Sequence, residues 1–164
     1  MTRLRSTDDP GTRFAQLMAQ LYFFMAQELM TQLGEEKGKE AILHAVNEFG
    51  KSRIKSMQEE AAERNLDPKG LETYRAVRDM PGTGWETNPD NPLEITYCPM
   101  EAAWREFGSE GQKLGYLYCQ IDHVLYDAFG LEMKRPLCLA KGDDRCLFQL
   151  KDQEKGDDAE NKGI

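Results

Sequence analysis

Residues 130–151 read "GLEMKRPLCLAKGDDRCLFQLK". Leu131 and Met133 alternate with Glu132 and Lys134, the two-residue period of a half-buried strand. Cys146, Phe148 and Leu150 repeat the pattern after "KGDDR". The stretch predicts a hairpin with strands near 131–140 and 145–151. Working outward, every segment before it is helical except "LEITYC" at 93–98, where Leu93, Ile95 and Tyr97 alternate with Glu94 and Thr96. Helices, one strand, two more helices and a closing hairpin predict an α+β fold, with N-terminal helices packed on a small antiparallel sheet.

The helical half is legible in detail. Phe14, Leu17, Met18, Leu21, Met25, Leu29 and Leu33 trace a stripe at helical period over 12–33. A second helix is expected over about 36–65, with Gly50 as a candidate bend. A shorter one is expected over about 68–79. Residues 80–92, "MPGTGWETNPDNP", read as loop. Pro99 opens a short helix that ends before Gly108, and a last helix is expected over about 112–129.

Bulk properties exclude several classes. The 164 residues suggest one domain, taken as 12–151 between a flexible N-terminus (1–11) and a disordered acidic tail (152–164). The tail holds five acids and two lysines, so it carries −3 of the net −8. A pI of about 4.9 argues against nucleic acid and against an anionic membrane as partners. No apolar run approaches a membrane span and none reads as a signal peptide, so a cytoplasmic location is expected. The wide apolar stripes of the first two helices, with Phe23, Phe24 and Met30, lead us to expect a homodimer.

Chemistry concentrates on cysteine. Cys119, Asp122, His123 and Tyr126 share one face of the expected last helix, at i, i+3, i+4 and i+7. Cys98 ends a strand just before a helix N-terminus, and Cys138 and Cys146 flank the hairpin turn. Four cysteines in a cytosolic chain favour free thiols, metal ligands or catalytic groups over disulfides. Two readings follow. Cys98, Cys119, Cys138 and Cys146, with Asp122 or His123, would suit Zn²⁺ or Fe²⁺. Alternatively one thiol is a nucleophile, Cys98 activated by the helix terminus or Cys119 by His123. Simple burial competes with both, most strongly at Cys138 between Leu137 and Leu139.

"TYCPMEAAWREFG", "LGYLYCQIDHVLYDAFG" and "LAKGDDRCLFQL" together resemble the L-2-amino-thiazoline-4-carboxylic acid hydrolase family. The shared pattern is Cys98-Pro99, Cys119 with Asp122, and Gly142, Asp143, Cys146 and Phe148. The closing hairpin also resembles 4-vinyl reductase-like ligand-binding domains, which hold zinc with cysteines of this hairpin and bind a small apolar ligand beside it. Those relatives carry a carboxylate three residues before the first hairpin cysteine. This chain has Arg135 there, and Asp122, His123 or Cys98 would have to substitute. The resemblance implies a hydrolase that opens a cyclic amidine at a carbon–nitrogen bond. Cys119, Asp122, His123 and Cys98 would be catalytic. Tyr126, Arg135 and Arg145 would bind substrate, with Arg105, Lys113 and Lys141 as further cations for its carboxylate. The alternative is a binding module that senses a small molecule or metal without catalysis.

Overall fold

The computed structural model describes Arg5 and residues 7–153. Six helices and a four-stranded antiparallel sheet make up the α+β fold that the pattern predicts. Helix α1 (Pro10–Leu33) starts at a proline in its first turn, capped by Asp9, whose Oδ2 accepts from the Thr12 N–H at 2.9 Å. The flexible segment expected over 1–11 is thus already helical at Pro10 and Gly11; residues 1–4 and 6 lie outside the described set. Gly34, at φ 79°, is the whole connection to α2 (Glu35–Glu63).

Gly50 does not divide α2, which runs unbroken from Glu35 to Glu63. It is buried, and a Cβ there would stand 3.1 Å from Val124 Cγ1, so its role is close approach of a neighbouring helix. Helix α3 (Leu71–Val77) follows. The expected loop 80–92 contains a short strand, β1 (Glu86–Asn88), which pairs with β2 (Asn91–Tyr97). Three residues among prolines and glycines are too few to show a period, so pairing rather than pattern makes this strand. Helices α4 (Pro99–Arg105), α5 (Gly108–Tyr118) and α6 (Ile121–Ala128) lead to β3 (Leu131–Leu137) and β4 (Cys146–Asp152). The sheet order is β1-β2-β4-β3. Contrary to the expected packing of the N-terminal helices on the sheet, α1 and α2 pack mainly on other helices, and α6 is the one that packs on the sheet, against β3. Asp152, expected in the tail, closes β4 opposite Leu131; the tail from residue 154 lies outside the described residues.

Two irregularities shape the interior. The first expected strand of the hairpin stops at Leu137, and a 3-10 turn (Leu139–Lys141) fills the gap. Gly142 takes the left-handed conformation there, and Asp143 Oδ2 accepts from the Cys138 N–H at 2.7 Å. The β3–β4 register also slips between Lys134 and Leu137, where Pro136 has no N–H for the ladder.

The helix expected over 112–129 is two helices. In an unbroken helix the His123 N–H would bond the Cys119 carbonyl. Here it donates to Gln120 O at 3.2 Å, and Cys119 O accepts from Arg135 Nη2 at 3.0 Å. The break is therefore held open by a side chain from β3.

Trp104 organises the helical core. It is 1% exposed, its indole N–H donates to Ala19 O at 2.9 Å, and Tyr22 and Tyr118 pack against its ring. The ring lies so close to Gly115 that a Cβ there would overlap it. Gly115→Ala is expected to lower stability by about 1–3 kcal/mol through overpacking, seen as a lower melting temperature. An unchanged melt would show that α5 can shift away from the indole.

Candidate functional site

Arg135 continues the inward series of Leu131 and Met133 on β3. Its side chain is 3% exposed, so its charge needs buried partners. One is Asp122, whose Oδ2 lies 2.5 Å from Nη1; the other is the Cys119 carbonyl. The guanidinium also lies over the Phe148 ring, 5.7 Å from its centroid. Burial pushes the Asp122 carboxyl up from its usual range, and Arg135 and then Arg53 pull it back.

Three thiols gather beside this ion pair. Cys119 and Cys146 both hydrogen-bond to Cys138. Cys146 sulfur also accepts from the Leu139 N–H at 3.3 Å. Cys138 is drawn well below the ordinary thiol range by the two thiol donors, with help from Arg135 and the Ala140 N–H. Cys119 and Cys146 are pushed up, because each gives its proton toward Cys138 and is desolvated. The three sulfurs are thus driven in opposite directions, Cys138 down and its two neighbours up.

Cys119, Cys146, Asp122, Arg135 and Tyr126 line a cavity of about 520 Å³. Trp85, Leu93, Ile95, Met100 and Leu125 supply apolar wall. Cys98 lines the same cavity. Its sulfur receives N–H groups of Glu101 and Met100 and the Trp85 side chain, yet burial dominates and pushes the thiol up to about 11. The activation expected from the helix terminus is therefore overturned by desolvation.

Other expected site residues fall elsewhere. His123 is exposed and does not line the cavity: it lies next to Asp122 on α6, about 100° around the helix, and the break between α5 and α6 changes its phase relative to Cys119. Arg145 also lies outside the cavity, paired with Glu94 at 3.4 Å and Asp144 at 2.9 Å. Arg105 pairs with Glu101 and Lys113 with Glu35, while Lys141 lies over the Tyr116 ring. The cavity cations that sequence reasoning missed are Arg53, Arg75 and Arg78. Arg53 was detectable: it lies on the same stripe of α2 as buried Ile42, Val46, Gly50, Met57 and Ala61.

Among the described residues no group of three or more His, Cys, Asp or Glu side chains is arranged to hold a metal ion. The charge facing the thiols is a guanidinium, which repels a dication. The expected zinc set Cys98, Cys119, Cys138 and Cys146 does not fit this geometry.

These features define an α+β protein with a thiol cluster in the wall of a mainly apolar cavity. Over residues 14–150 the sequence matches the L-2-amino-thiazoline-4-carboxylic acid hydrolase family, and the chain belongs to it. Membership supports a hydrolase-like function. No curated protein and no solved structure matches the chain, so the likeness of the hairpin to 4-vinyl reductase-like domains rests on its own residues alone. No helix among the described residues is long and apolar enough to cross a membrane.

Thiolate absorbance in the ultraviolet is expected to persist at pH values below the range of an ordinary thiol. Cys138→Ser should remove it. A spectrum that titrates only near pH 9 would show that the trio holds no stable thiolate.

Proposed function

We propose that this chain is a hydrolase that opens a small cyclic amidine, 2-amino-thiazoline-4-carboxylate or a close analogue, at a ring carbon–nitrogen bond. The observation that carries the reading is Cys119, a thiol in the wall of the cavity, beside the buried Arg135–Asp122 pair.

Cys119 Sγ bonds to the ring carbon between sulfur and nitrogen as it gives up its proton. That proton moves on to the ring nitrogen, which receives the electron pair of the former C=N bond. A second proton, from the exocyclic amine, completes the departing amine as the carbon–nitrogen bond breaks. Water then adds to the remaining C=N carbon, and Cys119 leaves with its proton restored. One water is consumed, and the product is a carbamoyl group on the former ring sulfur. Arg135 balances the charge on the trio throughout, and Asp122 holds Arg135 in place.

Purified protein is expected to consume 2-amino-thiazoline-4-carboxylate with release of a carbamoyl-cysteine, followed by mass spectrometry. Cys119→Ser should keep its circular dichroism and melting temperature and lose activity by at least about 10³-fold. Full activity in that variant eliminates Cys119 as nucleophile. A wild-type chain that consumes neither this compound nor a related lactam loses the hydrolase reading.

A further inference from the structure

The cavity is electropositive in a chain whose net charge is −8. Four arginines line it, Arg53, Arg75, Arg78 and Arg135, against a single acid, Asp122. Three have partners: Arg53 makes a double hydrogen bond to Asp79 (2.9 and 2.6 Å), Arg75 pairs with Glu72, and Arg135 pairs with Asp122. Arg78 has no ion-pair partner among the described residues and interacts with the ring hydroxyls of Tyr74 and Tyr126.

Tyr118 supplies an independent sign. Its side chain lines the cavity, the residue is 8% exposed, and its hydroxyl has no hydrogen-bond partner. Arg53 lies within electrostatic reach of that hydroxyl. A buried donor without an acceptor, beside guanidinium groups, lacks one thing: an anionic oxygen.

We propose that Tyr118, Arg78 and Arg53 form an anion subsite that takes the carboxylate of the cavity's ligand. The proposal deepens the hydrolase reading by naming the residues that select a carboxylate-bearing ring, and it rests on that reading only for the identity of the ring. Burial keeps the Tyr118 hydroxyl protonated, so it donates at any physiological pH. Arg135 is committed to Asp122, which leaves Arg78, an exposed residue that also lines the cavity, as the cavity cation without an ion-pair partner among the described residues.

The test uses the full chain carrying Cys119→Ser, so that bound compounds persist, with 2-amino-thiazoline-4-carboxylate and 2-amino-thiazoline as probes in calorimetry. The carboxylate is expected to bind at least about tenfold more tightly. Tyr118→Phe and Arg78→Ala, added separately, should each remove most of that difference without weakening 2-amino-thiazoline, and Arg78→Lys should restore part of it. Equal binding of the two probes, no binding of the carboxylate, or variants that keep the full preference would each overturn the subsite. Turnover by the unmodified chain separates the two readings: a chain that prefers the carboxylate but consumes nothing keeps the subsite and loses the hydrolase.

The outward face of α1 points to a second, separate feature. Phe14, Leu17, Leu21, Phe24 and Met25 are 48–74% exposed along one stripe. Arg13 and Glu28 are the only charged residues among the 24 of α1, although 30% of the chain is charged. At about 200 Å² per large apolar side chain, the stripe offers roughly 600 Å² per copy and roughly 1,200 Å² for a pair, the lower end of stable interfaces. An apolar stripe with one charge of each sign is self-complementary under a twofold axis. We infer that α1 pairs antiparallel with α1 of a second copy of this chain. Light scattering of the full chain is expected to give about twice 18.8 kDa, and Leu17→Glu with Leu21→Glu should give the single-chain mass with unchanged circular dichroism. A single-chain mass for the parent at tens of micromolar overturns the pairing. So does flotation of the chain with phosphatidylcholine vesicles, which would assign the stripe to a lipid surface.

Discussion

A guanidinium buried against the sheet is the constraint on which the site depends. Arg135 occupies a position that the strand period reserves for the core, and a charge there is tolerable only with partners. Its two partners come from the junction of α5 and α6: the Asp122 carboxylate and the Cys119 carbonyl. That second bond uses an acceptor that a continuous helix would have kept. The same arginine therefore breaks the helix, positions Asp122, and faces the three thiols.

The thiol cluster follows from how its parts are delivered. Cys119 comes from the helix break, Cys146 from an inward position on β4, and Cys138 from the end of β3, where the strand gives way to a tight turn. Asp143 fixes that turn by accepting from the Cys138 N–H. Low dielectric amplifies each charge–dipole contact among these groups. It also separates the thiols in character: for Cys98, in the same cavity, desolvation dominates. Position relative to the buried charge, more than cysteine identity, decides which sulfur is useful.

Much of this was legible in the residues. The hairpin, the α+β order and the long helices follow from periods of 2 and 3.6. Motif resemblance suggested a convergence of Cys98, Cys119 and Cys146, which all line the cavity, and helical spacing suggested Asp122 and Tyr126; the place of Cys138 beside Cys119 and Cys146 was not part of it. Two arginines at core-facing positions, Arg53 on α2 and Arg135 on β3, were also readable, since each interrupts an apolar series at the right phase. Other features were not readable. His123 shares the spacing of Asp122, yet the helix break turns it to solvent. Arg145 lies beside Cys146 in sequence and on the opposite side of the strand. The strand β1 is too short to carry a period.

The sequence by itself determined the periodic elements, the inventory of thiols and arginines, and the apolar, nearly uncharged character of α1, because these depend on spacing and composition along one chain. Tertiary structure decided which cysteines lie beside the buried arginine, where the long helix breaks, and which arginines reach the cavity. Each of those outcomes depends on a contact between elements distant in sequence, where desolvation and a single buried partner outweigh any local preference.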